Sequence, residues 1–478
     1  MLIHTEQRVT AEALPAFRLH TGMHHTEHPR LSCTILATDD DFLASRNEWD
    51  ELVGKSEASV YQSFDWCRAW WKYLGERSNR RLNILVFREK HATVGIAPFF
   101  LEEQKLAGLT LSRRLSLLGT GVAFNKSFGI FFDDGPSDYL DIIAAAGYEQ
   151  RVAEALAGYL EEHRNEVDEV EFLNAPEMSI VMKRVLPQMR KKGAIVKVSR
   201  ADVNSRIILP ATAQEYLQGL SSNVRRRFSQ ARTALGGKNV FQMKEVETEA
   251  HLEELFAQLV ELHRRRWNDM GYPGYFWDKR YYDFQRSFVS EMLSQKRLWF
   301  KTVWADGRCV GARLGFSHNG AMYDYLTGFD KETTTAKYRP GYALLLLMIE
   351  DAIASRHATV ELLRGDERYK AELHSNSFYS SNAVIANVQL FEGGRTIAST
   401  LARSFGFLGF LISRELILLR VQYSNHGPFT FLYYWAEFRG SRTVNKLYRS
   451  IERDHGIVKD YHEDHSLMDL INLLFTER

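Results

Sequence analysis

The stretch that decides the fold begins Ala321-Met-Tyr-Asp-Tyr-Leu-Thr-Gly328, continues through Gly341-Tyr-Ala-Leu-Leu-Leu-Leu-Met-Ile-Glu350, and ends Thr359-Val-Glu-Leu-Leu-Arg-Gly-Asp-Glu-Arg-Tyr-Lys370. Its first string alternates and carries aromatic residues, which predicts a strand over 321–327. The run 342–356 is rich in Leu, Ala and Ile and predicts a mostly buried helix. The short apolar run 359–363 predicts a second strand. The stretch is therefore a strand, a polar loop over 330–339, a helix and a strand.

The start of this helix is a candidate phosphate site. A strand end beside a helix N-terminus brings together unpaired backbone N–H groups and the positive end of the helix dipole, which favour an anion. Gly341 would let the backbone approach closely, and Lys337 and Arg339 would add positive charge. Pro-Gly also opens many helices for structural reasons, and the loop matches neither a dinucleotide fingerprint nor a Walker motif. The residues alone leave both interpretations open.

Two strings in this stretch resemble a known family. Tyr338-Arg-Pro-Gly-Tyr-Ala-Leu-Leu345, followed by Glu361-Leu-Leu-Arg-Gly-Asp-Glu-Arg-Tyr-Lys370, resembles the GNAT-fold acyltransferases of the cellulose-biosynthesis type, relatives of the Fem peptidoglycan aminoacyltransferases. In that family a Pro-Gly turn opens the helix after the fourth strand, and a Gly-x-Glu-x-Tyr-Lys-like motif follows the fifth. The resemblance extends upstream to 137–141 and 262–267, and it covers roughly 31–387.

The resemblance implies an α/β (α+β) fold of two tandem GNAT-like domains with a C-terminal helical extension. We predict a flexible tail over 1–30, an N-terminal GNAT-like domain over 31–198, a GNAT acyltransferase domain over 199–390 and the extension over 391–478. A faint internal repeat agrees with two domains, because 82–95 aligns without gaps on 298–311 and both segments have the pattern strand, polar turn, strand opening on Val-Gly. Any β-hairpin can produce that pattern.

The implied reaction is the transfer of an acyl group from acyl-CoA, such as acetyl-CoA, to an amine or hydroxyl, in polysaccharide or cell-envelope synthesis. Such a reaction needs a positioned donor, a base for the acceptor proton and an acid for the leaving thiol. By the family motif we assign catalysis to Glu367 as base, Tyr369 as acid and Lys370 as a stabiliser of negative charge, with His263 as a further candidate. The predicted donor-binding residues are Arg339, Gly341, Tyr342 and Ala343.

Other charged segments have two or more interpretations. The loop 364–372 is an ordinary charged loop if the resemblance is set aside. Residues 263–267, His-Arg-Arg-Arg-Trp, either form a basic surface near a helix end or face the acceptor cleft. Asp138 and Asp141 either match a family motif or, for Asp138, cap a helix. A basic helix could contact coenzyme A phosphates or RNA, or it could be solvated; its arginines are Arg225, Arg226, Arg227 and Arg232.

Composition excludes several classes of function. The chain has 478 residues and a formal net charge of +1, so no global field favours nucleic acid, and we expect no nucleic-acid partner. Its three scattered cysteines predict buried, reduced thiols and a cytoplasmic location. We expect no metal site, no signal peptide and no conventional transmembrane helix. The apolar segment 404–420 either packs as a helix on the second domain or lies at the inner membrane surface as a peripheral contact.

Two rival functions remain. One is Fem-like aminoacyl transfer from charged tRNA, although the long charged helical hairpin that Fem proteins often carry has no counterpart here. The other is a catalytically silent scaffold of a polysaccharide synthase. In the favoured interpretation the acceptor is a small molecule or a saccharide-linked group, and the first domain helps to form the acceptor cleft.

Overall fold

The computed structural model describes residues 30–76, 78–106, 109–121, 135–236, 240–269, 274–330 and 338–386, with single residues at 416, 419, 423 and 427. The predicted tail over 1–30 and the predicted extension over 391–478, including 404–420, lie outside these ranges apart from those single residues and Arg30. In the part of the chain that is described, no helix is long and apolar enough to cross a membrane.

The first half begins with one strand and three helices, continues with four strands, and ends with two helix–strand pairs. They are β1 (Ser32–Leu36), α1 (Asp39–Ala44), α2 (Arg46–Gly54), α3 (Phe64–Trp70), β2 (Arg80–Glu89), β3 (Ala92–Leu106), β4 (Leu109–Leu117), β5 (Ile143–Ala144), α4 (Glu149–Glu162), β6 (Glu169–Pro176), α5 (Leu186–Lys191) and β7 (Ile195–Ile208).

The second half has a similar order after two additional helices, with two helices before its hairpin instead of three and no counterpart of β5. Its elements are α6 (Ala213–Gly219), α7 (Ser222–Gly236), β8 (Gln242–Glu245), α8 (Glu249–Asp269), α9 (Lys279–Ser294), β9 (Leu298–Ala305), β10 (Arg308–His318), β11 (Ala321–Phe329), α10 (Pro340–Ala354), β12 (Thr359–Arg364), α11 (Arg368–Glu372) and β13 (Asn376–Ala386).

The thirteen described strands form one sheet, in the order β1-β2-β3-β4-β6-β13-β7-β12-β11-β10-β9-β8, with β5 beside β3. Each half contains an antiparallel meander. The last strand of the meander pairs in parallel with the strand that follows the next long helix, so β4 pairs with β6 and β11 pairs with β12. The two halves exchange their final strands, because β13 pairs with β6 of the first half and β7 pairs with β12 of the second. Strand exchange makes the sheet continuous across both halves.

The internal repeat predicted from the sequence is confirmed by the strand register. Phe87 pairs with Gly95 in the first hairpin, and Val303 pairs with Gly311 in the second, which are the positions that the ungapped alignment superimposes. Each hairpin has its register shift at the residue before the glycine, Val94 or Val310. A shared β-bulge at one aligned position is a stronger sign of two equivalent units than the few identities.

The predicted domain boundary at 198/199 falls inside β7, which spans Ile195–Ile208. The described residues from Leu31 onward form a single compact unit. This follows from the strand exchange, since β7 lies between β13 and β12 rather than at the edge of its own half. The boundary at 198/199 therefore stays a prediction, and the sheet is continuous across it.

Side-chain contacts define several local turns. Ser63 caps α3, because its side chain accepts from the N–H of Trp66. The two short helices α1 and α2 meet at Ser45. The suggestion that Asp138 caps a helix is wrong, since its carboxylate pairs with the Arg364 guanidinium at 2.7 Å. It is Asp141 that accepts backbone N–H groups at the start of a helical turn, those of residues 180 and 181.

The tryptophans of the first half belong to the core. Trp49, Trp66 and Trp70 have no exposed surface. Two of these indoles also find acceptors, the carbonyl of Gln62 for Trp49 and the hydroxyl of Ser137 for Trp66. All three cysteines are free, but Cys33 is exposed on the edge strand β1, so the prediction of a buried thiol is wrong there and right for Cys67 and Cys309.

Candidate active site

The candidate site lies where the two parallel strands of the second half separate. β11 and β12 pair only between Ala321–Tyr323 and Thr359–Glu361, and β11 then runs on to Phe329 without pairing to β12. A cavity of about 700 Å³ opens between the diverging strands. It is lined by seven of the eight predicted site residues, which are His263, Arg339, Gly341, Tyr342, Glu367, Tyr369 and Lys370.

The N-terminus of α10 forms one wall of this cavity. Arg339 is the N-cap in a left-handed conformation (φ 54°), and Pro340 occupies the first turn, so the helix begins two residues earlier than predicted. The N–H groups of Tyr342 and Ala343 both donate to the carbonyl of Arg339, at 2.9 and 3.1 Å. The start of α10 therefore leaves fewer free backbone N–H groups for a phosphate than the start of a regular helix does.

The predicted donor-binding residues differ in their placement. Gly341 packs on Phe329, and a Cβ there would lie 3.3 Å from the ring. Arg339 and Tyr342 lie side by side, with the guanidinium 6.0 Å from the ring centroid. Ala343 is completely buried in the core of the second half and does not line the cavity. Any contact of Ala343 with a ligand at this cavity is therefore unsupported.

A tight turn after β12 positions the Gly365–Lys370 motif. Gly365 has φ +115°, and a Cβ on it would lie 2.3 Å from Oε2 of Glu367, so only glycine lets the carboxylate come this close. Lys370 is 3% exposed. Its ammonium donates to the carbonyls of Leu363, Arg364 and Gly365 at 3.3, 2.6 and 3.4 Å, and it lies 2.9 Å from Oε2 of Glu367. These contacts use the donors of Lys370 to hold the turn and Glu367.

Tyr369 is a buried phenol in the cavity lining. Burial, together with the negative charge of Asp324, raises the pKa of its phenol above the ordinary value. The hydroxyl therefore stays protonated at neutral pH, beside the less buried carboxylate of Glu367. The catalytic roles of Glu367, Tyr369 and Lys370 stay predictions, and the contacts favour a positioning role for Lys370.

An ion pair at this cavity escaped the sequence analysis. Arg313 on β10 and Asp324 on β11 are both buried, and they pair across the hairpin. Burial raises the pKa of the Asp324 carboxyl, and the Arg313 charge opposes that rise. Nη2 of Arg313 also donates to the carbonyl of Gly341 at 3.3 Å, which ties β10 to the start of α10. The available signal was a carboxylate between two tyrosines inside an otherwise apolar strand.

His263 is buried in the cavity wall with 4% of its surface exposed. Its Nε2 accepts from the indole N–H of Trp267 at 2.9 Å. Burial, and then the charges of Arg266 and Arg264, lower the pKa of His263 to about 3. The imidazole is therefore neutral, with its one basic nitrogen already occupied, which makes it a hydrogen-bond donor rather than a base.

The arginines of α7 mostly bind within the chain. Arg227 pairs with Glu372 and donates to the hydroxyl of Tyr342, and Arg232 pairs with Glu350. Arg225 donates to two backbone carbonyls at the end of α6. This agrees better with a structural helix than with a row of free phosphate ligands. Arg226 makes no such contact among the described residues.

The first half supplies part of the cavity wall. Gly135, Pro136 and Asp138 line the cavity next to the second-half residues. Arg364 at the end of β12 binds this segment, through Asp138 at 2.7 Å and the carbonyl of Gly135 at 2.7 Å. The sequence analysis expected the first domain to help form the cleft, and this geometry agrees.

Comparisons with known proteins define the class. Residues 222–371 match the family described as acetyltransferase (GNAT) domain, and this match includes every cavity-lining residue of the second half. Among solved structures, FemX superposes with a TM-score of 0.51 at 10% identity, covering 73% of this chain and 97% of that one. The chain thus contains a GNAT acetyltransferase domain and has a GNAT-type acyltransferase fold.

Two further structures have lower scores. The C-terminal domain (DUF2156) of a putative lysylphosphatidylglycerol synthetase from Agrobacterium fabrum gives a TM-score of 0.43 at 10% identity, covering 76% of this chain and 96% of that one. A tandem GNAT protein from the clavulanic acid biosynthesis pathway gives 0.39 at 12% identity, covering 75% and 99%. No protein of curated function matches the sequence. The cellulose-biosynthesis type of the fold stays a prediction.

Proposed function

We propose that the protein transfers an acyl group from acyl-CoA to an amine or hydroxyl acceptor. The observation that carries this proposal is the separation of β11 from β12 into a cavity of about 700 Å³. Diverging parallel strands leave backbone N–H and C=O groups without their sheet partners, and an extended amide-containing chain can pair with them. The pantetheine arm of coenzyme A is such a chain, and the GNAT domain match covers both strands.

The residues around the cavity fit the proton transfers of this reaction. The acceptor amine or hydroxyl attacks the thioester carbonyl carbon, and the C–S bond breaks. Glu367 takes the acceptor proton, since it is the motif carboxylate that is partly exposed (37%) at the cavity. Tyr369 returns a proton to the sulfur, and Lys370 holds the Glu367 carboxylate in place. The negative charge on the carbonyl oxygen develops within the same buried cluster.

The acceptor and the cellular role follow only from the resemblance. We infer a saccharide-linked or small-molecule acceptor used in polysaccharide or cell-envelope synthesis in the cytoplasm, with a peripheral contact at the inner membrane as an open alternative. The Fem-like alternative has equal support from the fold, because likeness to FemX at 10% identity concerns the fold alone. The two alternatives differ in the donor, acyl-CoA or aminoacyl-tRNA.

The test is donor binding by calorimetry. Acetyl-CoA and longer acyl-CoAs are titrated into the purified protein, with free coenzyme A as the reference ligand. Gly341→Trp should abolish saturable binding, because the indole would fill the space between Phe329 and the start of α10. Gly158→Trp is the matched control, since Gly158 lies on helix α4 with no atom within 4 Å of an added Cβ.

The results separate the alternatives. Saturable acyl-CoA binding that Gly341→Trp removes and Gly158→Trp retains supports the proposal and justifies an acceptor screen. The absence of binding by every acyl-CoA refutes it, and charged tRNA is then the donor to titrate. If the protein binds neither donor, and if the Gly341→Trp and Lys370→Ala variants still assemble normally with a polysaccharide synthase, the scaffold alternative is supported.

A further inference from the structure

The charged side chains that line the cavity pair off almost completely. Four carboxylates each have their own cation, namely Asp324 with Arg313, Asp138 with Arg364 at 2.7 Å, Glu367 with Lys370 at 2.9 Å, and Asp330 with Arg265 at 3.4 Å. Two of the lining arginines, Arg266 and Arg339, have no carboxylate among the described residues. The described lining residues therefore carry excess positive charge.

Arg266 is the inner of these two arginines. It lies near the end of α8, is half-buried, and stacks its guanidinium 5.5 Å from the centroid of the Phe329 ring. It makes no hydrogen bond or ion pair with any described residue. Removing a guanidinium partly from water is unfavourable when its five N–H donors have no acceptor. The planar arrangement of these donors suits a planar anion.

His263 presents a second donor from the same helix face, one turn earlier. Because the indole of Trp267 can only donate, Nε2 of His263 must accept, and the proton of the neutral ring lies on Nδ1. Nδ1 is buried and has no hydrogen-bond partner among the residues that the structure describes. An unsatisfied buried donor is destabilising, and a bound acceptor atom would relieve that cost.

The two donors lie beside the proposed reacting groups. The positive charge of Arg266 acts on the pKa of both His263 and Tyr369, lowering the first and opposing the rise of the second. His263, Arg266 and Tyr369 all line the same cavity. Trp267 and Tyr275 line the same wall, and their rings flank His263 with centroids 5.9 and 6.0 Å away. This wall is aromatic, cationic and adjacent to Tyr369.

We propose that Arg266 and the Nδ1–H of His263 bind an anionic group of the acceptor, so that the substrate is an amine or alcohol that also carries a carboxylate or phosphate. The inference rests on the acyl transfer proposed above, because it concerns the second substrate of that site. The anion anchors the acceptor on α8, and the aromatic wall holds the rest of the molecule with its amine or hydroxyl toward Glu367.

The test uses acceptor probes that differ only in the anion. Glucosamine 6-phosphate is compared with glucosamine, and alanine with alaninamide, by calorimetry and by release of free thiol from acetyl-CoA. We expect one anionic member to bind at least about tenfold tighter than its neutral partner, the equivalent of one charged hydrogen bond. The pair that shows the preference tells phosphate from carboxylate.

Variants of α8 identify the residue responsible. Arg266→Gln should remove the preference, Arg266→Lys should restore part of it, and Arg265→Gln should leave it unchanged because Arg265 already pairs with Glu261 and Asp330. Acetyl-CoA affinity should be the same in all three variants. Melting temperatures confirm that each variant is folded.

Three results would overturn the inference. The first is equal affinity for neutral and anionic probes. The second is that no anionic probe binds at about 10 mM. The third is weaker acetyl-CoA binding by Arg266→Gln, which would assign Arg266 to the donor site. A wild-type protein that prefers anionic probes but binds no acyl-CoA keeps the anion site and refutes the proposed function instead. The two failures are therefore distinguishable.

Discussion

Replacing Lys370 by Met tests whether this lysine holds the site together or takes part in the chemistry. The change keeps the length of the side chain and removes the ammonium, which is 3% exposed. Three carbonyls lose their donor, and the shortest of these hydrogen bonds, 2.6 Å to Arg364, is the strongest. A charged hydrogen bond contributes about 1.5–3 kcal/mol. The ion pair with Glu367 adds little, about 0.5 kcal/mol, because that carboxylate is 37% exposed.

The sum predicts that Lys370→Met lowers the free energy of unfolding by about 3 kcal/mol, measured by urea denaturation, along with the loss of turnover. Arg368→Met is the matched control on the same short helix, where the side chain is 67% exposed and the expected loss is below about 1 kcal/mol. Tyr369→Phe should remove turnover and leave stability nearly unchanged. If Lys370→Met instead loses turnover but stays within about 0.5 kcal/mol of the wild-type protein, the positioning argument is wrong and the ammonium acts in the chemistry.

Gly365→Ala should abolish turnover and lower the free energy of unfolding by about 1–3 kcal/mol, because φ +115° strains any side chain and the new Cβ would displace the Glu367 carboxylate. The control Gly307→Ala, also at positive φ but in open space, should show only the loss of stability from strain. A fully active Gly365→Ala enzyme would contradict the geometry. His318 has its pKa lowered to about 3 by burial, so it contributes stability above pH 6.5 that is lost as the pH falls from 6.5 toward 3. His318→Asn should make the acid branch of the unfolding free energy less steep, and an unchanged slope in a pH series of denaturation curves would exclude this histidine as a cause.

The order of elements around the site was predictable because each element has a strong local pattern. β11, α10 and β12 begin and end within two residues of the prediction. Long apolar runs and the Pro-Gly start leave few alternatives there. The exchange of β7 and β13 was not predictable, because a period-2 pattern identifies a strand and does not name its neighbours.

The site residues divide in the same way. Gly365 to Lys370 lie within one turn of chain, so their mutual proximity follows from sequence spacing. Arg313 and Asp324 come together only through the register of the β10–β11 hairpin, where a bulge shifts the pairing between Leu314 and Gly315. The neutral state of His263 depends on burial by Phe276 and Trp267, which no local pattern of α8 reveals.

The two halves of the repeat differ in the space beside their parallel strands. In the first half, the place between β4 and β6 that corresponds to the cavity is occupied by the chain itself. Ser137 is completely buried there, with its hydroxyl donating to the carbonyl of Gly119 beyond β4 and its carbonyl accepting from the amide of Asn174 on β6.

This same segment then continues to Asp138, which binds Arg364 at the end of β12. One stretch thus closes the equivalent space in the first half and builds a wall of the cavity in the second. A change that reopened the first space would have to move Ser137, and it would thereby release Arg364 from the second. The contacts of this segment therefore couple the filling of the space in the first half to the shape of the cavity in the second half.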